Sequence, residues 1–255
     1  MFYQMKENND SKEAELAPED GVVAVRRAMR VLEAFGGESA YLSLAELSRR
    51  TGYHRSTVLR LARTLALDDY LAQQPDGTWR LAHAAGWLGA CYQATFNVQD
   101  VVEPALRDLS AATGESATFY VREGNHRICV ARIEGSKSIR HHVRVGLTLP
   151  LELGSPGRIL LAFSGESGEP YESIRRAGYA TSLGERDPEV SSISAPVYGI
   201  QWKLVGAIGI SGPMSRLTSQ ALARHKEAIL SAASSMSRAM MGMRQGGSHR
   251  NSGQV

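Results

Sequence analysis

The sequence predicts an α+β protein of two domains, a helical N-terminal one closed by a hairpin and a C-terminal one built on a mainly antiparallel sheet. Three observations carry that prediction. Residues 44–65 (LAELSRRTGYHRSTVLRLARTL) place Leu44 and Leu47 before Gly52, and Val58, Leu61 and Leu65 after it. That is the spacing of two helices joined at a residue that tolerates positive φ. Directly behind them, Pro75-Asp76-Gly77 separates two short runs, 70–73 and 78–81, and Asp-Gly is a favoured hairpin turn. Beyond Gly114 the helical period gives way to alternation, and strand-like runs separated by turn residues take over.

Composition bounds the rest. With 255 residues, 43% hydrophobic and 22% charged, the chain is ordinary globular protein with length enough for two domains. Its net charge of +3 is too mild to argue for nucleic acid by itself. Cys91 and Cys129 lack metal-ligand spacing, and without an export signal they read as thiols in a reducing cytoplasm. No apolar run approaches the roughly 20 residues that cross a bilayer, so no membrane partner is expected. Residues 1–20, with two lysines against six acids, and the Gly- and Ser-rich 244–255 read as disordered tails.

The first domain is expected over 21–82. Val22, Val23, Val25, Ala28, Met29, Val31, Leu32 and Phe35 form the apolar set of a first helix that stops at Gly36-Gly37. Next come the two helices around Gly52, the layout of a helix-turn-helix. The second carries His54, Arg55, Ser56, Thr57 and Arg60 near its start, the end that lies in the major groove in proteins of this kind. Residues 21–96 hold nine arginines against six acids, and Arg49, Arg50, Arg55, Arg60 and Arg63 crowd these two helices, where they suit phosphates. On spacing alone, a helical hairpin with a solvated basic face fits equally well. The hairpin around Asp76-Gly77, with Leu71, Trp79 and Leu81 on its packing face, supplies the wing that favours double-stranded DNA as the partner.

A linker helix is expected over 83–96 from Ala85, Leu88 and Tyr92, and the second domain over 97–243. It opens with a helix over 98–112, with Val101, Val102, Leu106 and Leu109 inward and Thr113-Gly114 at its end. SATFYVREGNHRICVARIEG reads as two strands joined across Glu123-Gly124-Asn125, and IRHHVRVG as a third with Ile139, His141, Val143 and Val145 on one side. Ser155-Pro156-Gly157 starts an apolar helix, since proline suits the first turn and the serine can cap it. A short helix over 170–177, strands over 192–198 and 203–211, and a terminal helix over 218–241 complete the domain. Leu222, Ile229, Ala232, Ala233 and Met236 share one face of that last helix.

Taken together, these segments resemble the isocitrate lyase regulator (IclR) family of bacterial transcription factors over residues 21–242. The resemblance rests on the order and spacing of TGYHRSTVLRLARTL, DGTWRLAH, TGESATFYV, LPLELGSPGRILLAF, GERDPEVSSISAPVY and VGAIGISGP. It implies a winged helix-turn-helix ahead of a GAF/PAS-like effector-binding domain. It also implies a palindromic DNA operator bound by a homodimer or dimer of dimers, and a small organic acid as effector with no cofactor. The DNA-contacting set is then Arg49, His54, Arg55, Ser56, Thr57, Arg60 and Arg63, and the effector-binding set is Ser155, Pro156, Gly157, Val190, Ser192, Gly209 and Ser211.

The expected chemistry is a carboxylate held by backbone N–H groups at a helix N-terminus and by serine hydroxyls, without a buried positive charge. Turn-making and helix capping explain the same glycines and serines equally well. Two departures stand in this region: Arg158 where the family has lysine, and Glu152 where histidine is common. The basic run Arg140, His141, His142 and Arg144 reads as either a cavity wall or a protected edge strand, and Phe119 and Tyr120 as core.

Catalysis is not expected. Gly209-Ile210-Ser211-Gly212-Pro213 lacks the full G-x-S-x-G, Arg158 stands where a serine-lysine pair would need lysine, and no H-E-x-x-H or P-loop occurs. A winged helix that binds protein is the remaining alternative.

Overall fold

The computed structural model describes residues 22–36 and 39–242. Both expected tails, and Gly37 of the Gly36-Gly37 helix stop, lie outside them. The chain divides into two compact units at Ala90/Cys91.

The N-terminal unit runs α1 (Val23–Glu33), α2 (Leu44–Thr51), α3 (Arg55–Leu67), β1 (Leu71–Gln73), β2 (Trp79–Leu81) and the start of α4 (His83–Ala94). Ser43 caps α2 by accepting from the Glu46 N–H, and Gly52 ends the helix at φ 73°. The turn is locked by the Ser48 hydroxyl, which donates to the Tyr53 carbonyl at 2.6 Å, before His54 caps α3. Val31, Phe35, Leu47, Val58, Ala62, Leu65, Leu71 and Trp79 close one core. In the wing, Asp76 accepts from both the backbone and the hydroxyl of Thr78 and Gly77 takes φ 82°. Leu42 exchanges two backbone hydrogen bonds with Trp79, adding a bridge that the sequence did not disclose.

Several inward assignments need correction. On α3 Ala62 is buried where Leu61 was expected, and Leu81 of the wing is exposed. The apolar arc of α1 is wider than the core it meets: Val31 and Phe35 are buried, whereas Val22, Val23, Val25 and Met29 face outward.

The C-terminal unit opens with a π-helical turn (Val98–Val102) leading into α5 (Glu103–Thr113), which Gly114 ends at φ 72°. Then follow β3 (Ser116–Glu123), β4 (His126–Ile133), β5 (Thr148–Pro150), α6 (Ser155–Phe163), α7 (Tyr171–Ala177), β6 (Ala180–Leu183), β7 (Val190–Tyr198), β8 (Leu204–Pro213) and α8 (Ser219–Gly242). The strands form one antiparallel sheet in the order β5-β4-β3-β8-β7-β6.

Side-chain alternation splits the domain into layers. Phe119, Ile193, Ala195, Ile208 and Ile210 share a core with α5 and α8, while Tyr120, Cys129 and Ala207 pack with α6 and α7.

The expected strand IRHHVRVG does not form. Val143 is buried at 2% exposure, but Ile139 at 71% and Val145 at 49% are not, so no single face is covered. Arginine side chains satisfy the backbone here in place of a neighbouring strand. Arg216 donates to the Ile139 carbonyl at 3.0 Å, Arg140 to Lys137 at 3.2 Å, and Arg132 to His141. The third strand is instead β5, and β6, absent from the sequence reading, covers the far edge.

Candidate functional sites

Two sites emerge, one in each unit. On α3, Ser56, Arg60 and Arg63 follow the i, i+4, i+7 spacing that puts them on one face, opposite the buried Val58, Ala62 and Leu65. His54, Arg55, Ser56, Arg60 and Arg63 are exposed, and Thr57 is half-buried. His54 Nδ1 lies 2.8 Å from the Ser56 hydroxyl and accepts from the Ser56 N–H, so its Nδ1 is spent on the cap and its Nε2 side faces out.

The arginines of the two helices are not equivalent. Glu46 takes two hydrogen bonds from Arg49, at 2.9 and 2.6 Å, and one from Arg50 at 2.6 Å. Those contacts hold its carboxyl at about 2, well below the usual range, the Arg49 bond being the largest cause. Arg50 also donates to the Ala34 carbonyl at 2.9 Å, tying α2 to α1. By contrast, the guanidinium groups of Arg55, Arg60 and Arg63 have no partner among the described residues.

In the C-terminal unit a cavity opens beside the N-terminus of α6. Pro156, Val190, Ser192 and Ser211 of the expected effector set line it. Ser155, Gly157 and Gly209 do not. Ser155 is fully buried behind the wall, its hydroxyl 2.8 Å from Ser192 Oγ and 2.9 Å from Ser194 Oγ. Gly157 and Gly209 permit close backbone packing: an added Cβ would stand 1.9 Å from the Leu151 carbonyl oxygen at Gly157 and 2.2 Å from Ser194 Oγ at Gly209. At about 40 Å³ the cavity has room for about three water-sized positions, so a ring-bearing ligand requires its rim to open.

That rim is His141 and Arg186. Arg186 Nη2 stands 2.6 Å from His141 Nε2, and His141 Nδ1 stands 3.1 Å from Ser211 Oγ. A guanidinium only donates, so Nε2 accepts, the ring proton sits on Nδ1, and it donates to Ser211. Burial, reinforced by the Arg186 and Arg132 charges, pushes the His141 ring down to about 4, consistent with a neutral imidazole. Ser211 thereby keeps its own hydrogen for whatever enters. Of the basic run, His141 alone lines this cavity, and Tyr120, expected as core, lines it as well.

The sequence reading missed Arg127, Ser182, Arg186 and Asp187. Arg127 sits on β4, 2% exposed, its guanidinium 5.5 Å from the centre of the Tyr120 ring. It donates from Nη1 to the carbonyls of Pro150 and of Leu153, the latter at 2.5 Å. A buried positive charge therefore does belong to this wall, contrary to expectation. The helix N-terminus is also less available than expected, because the Glu185 carboxylate accepts from the Gly154 N–H at 3.1 Å and pairs with Arg158 at 2.9 Å. Among the described residues no group of three or more His, Cys, Asp or Glu could hold a metal ion, and no helix is long and apolar enough to cross a membrane.

Comparison with known proteins places this architecture. The family model for the IclR helix-turn-helix domain matches residues 24–75, and the model for the bacterial transcriptional regulator IclR C-terminal domain matches 91–171 and 168–238. The HTH-type transcriptional regulator XynR of Escherichia coli K12 is 24% identical over 245 residues, 86% of this chain and 97% of that protein. Among solved structures, the IclR of Thermotoga maritima aligns at TM-score 0.69 and 19% identity, covering 85% of this chain and 98% of that one. An IclR homologue from Microbacterium hydrocarbonoxydans, complexed with 4-hydroxybenzoate, aligns at TM-score 0.68 and 21% identity, covering 85% and 99%.

Proposed function

Because the chain belongs to the IclR family of bacterial transcriptional regulators, we propose that it binds a palindromic operator as a homodimer or dimer of dimers, responds to a small organic acid, and controls a catabolic operon in the cytoplasm. Members of this family are DNA-binding regulators with an effector-binding C-terminal domain, not enzymes. The observation that carries the proposal is the exposed row of Ser56, Arg60 and Arg63 on α3, whose two guanidinium groups find no partner among the described residues. Unneutralised arginines on the outer face of a second helix suit phosphates and base edges in a major groove. His54, Arg55 and Thr57 flank that row at the helix start, and Arg49, exposed on α2, completes the proposed set.

The acid effector is supported by the hydroxyl-lined cavity and by the 4-hydroxybenzoate held by the M. hydrocarbonoxydans homologue. The test is footprinting on the DNA upstream of the chain's own gene, with and without candidate acids. A protected palindrome that an acid alters is the expected result. No protection at low salt and micromolar protein overturns the DNA reading in favour of a protein-binding winged helix.

A further inference from the structure

Resting on the reading of the cavity as an effector site, we infer that Arg127 is its anion-recognition residue, and that the effector presents a single carboxylate to this guanidinium and an uncharged acceptor to Ser192 and Ser211. Arg127 is almost wholly buried, yet no acid pairs with it among the described residues. Nη1 is committed to two carbonyls, whereas Nε is buried without a partner and Nη2 carries no hydrogen bond. A buried, unpaired charge is among the costliest features a fold can keep, and a counter-anion relieves it.

Of the charged side chains that line the cavity, Arg127 and Arg186 are positive and Asp187 is negative, so one positive charge is left over. Glu185 takes Arg158 and the Gly154 N–H. Arg186 is bonded to His141 and lies next in sequence to Asp187, which lines the same wall. Arg132 is paired with Glu134 at 2.8 Å. Glu152, the remaining acid near Arg127, is exposed and forms no ion pair with it. One uncompensated cation calls for one anionic group.

The serines suit a neutral partner. Ser211 accepts from His141 and retains its own hydrogen, while Ser155 bridges Ser192 and Ser194, so that Ser192 can accept from Ser155 and turn its hydrogen into the cavity. Ser192 and Ser211 are directly opposed across β7 and β8, which aims both hydroxyls at one ligand atom such as a carbonyl or hydroxyl oxygen. Gly157 makes the arrangement feasible, since an added Cβ there would stand 2.7 Å from Arg127 Nη1.

The test is calorimetric titration of the full chain with acetate, pyruvate, lactate, succinate, benzoate and 4-hydroxybenzoate, each monoacid beside its primary amide. The tightest monoacid of the wild type is then measured on R127M and R127K. R127M should weaken the acid by about 10- to 100-fold, as expected for a lost charge-assisted bond, and leave the amide within about threefold. R127K should retain a preference for acid over amide. If R127M does not fold, R127Q, which keeps a donor for the carbonyls without the charge, makes the same comparison. Equal weakening of acid and amide, or tightest binding by succinate, overturns the inference while leaving the acid-effector reading intact. No binding by any acid overturns both.

Discussion

Arg186 Nη2 lies 2.6 Å from Nε2 of His141, so a guanidinium fixes the tautomer of an imidazole 45 residues away in the chain. The ring is held neutral, its pKa pushed down to about 4 from 6.5 by burial and by the charges of Arg186 and Arg132. Asp187 opposes that shift and His142 adds to it.

Stability should therefore depend on pH in one direction. Between 6.5 and about 4 the unfolded chain protonates this histidine and the folded one does not. The stabilisation is complete above the unfolded value and is lost as pH falls through that window. Thermal unfolding of the C-terminal domain should shift downward from pH 7 to pH 4.5, and H141N should flatten the slope. A slope identical in H141N would show that other groups set it.

On α3 the arginines should separate by their partners. R60A and R63A should each lower the salt slope of DNA binding by about one and weaken binding by about 1 kcal/mol or more. R49A should cost less, because Glu46 already neutralises Arg49, and E46Q should strengthen non-specific binding by releasing it. Gel shifts at three salt concentrations separate these outcomes; an R49A defect equal to that of R60A would contradict the ranking.

This helix pair was legible in the sequence because its signals are local. Gly52 at φ 73° and the apolar period both act within one or two turns. Strands β3, β4, β7 and β8 were legible because each runs eight to ten residues and is rich in buried apolar positions, whereas β5 and β6 span only three and four. Segment 139–145 was misread because its alternation is real but the carbonyls of His141 and Ile139 are taken by arginine side chains, Arg132 on β4 and Arg216, 77 residues on from Ile139. Arg127 was missed because nothing around a strand arginine announces burial. Its partners are carbonyls of Pro150 and Leu153, more than 20 residues on. Gly157 and Gly209 enter the effector set through the family resemblance alone, because sequence does not tell a glycine that admits a ligand from one that admits backbone.

Glycine substitutions should expose that difference. At Gly52 an added Cβ meets nothing within 4 Å, so G52A carries only the strain of a left-handed backbone, about 1–2 kcal/mol. At Gly157 the Cβ would overlap the Leu151 carbonyl at 1.9 Å, and only backbone movement relieves that. G157A should destabilise the C-terminal domain by about 3 kcal/mol or more, read by denaturant unfolding. A G157A loss no larger than that of G52A would mean that the 151–157 turn relaxes freely.

The outward apolar residues of α1 and α4 should hold the proposed dimer together. No residue of α4 is buried; Trp87 is 69% exposed, with Leu88 and the Cys91 thiol also outward. Val22, Val25 and Met29 form a second such stripe on α1. Exposed apolar stripes of this kind mark an association surface, and a two-fold operator calls for a two-fold protein. W87E combined with V25E should convert the protein to monomer by light scattering and abolish protection of a palindrome. Both units should still fold, because neither side chain enters a core. A dimer that survives both changes would move the interface elsewhere on the chain.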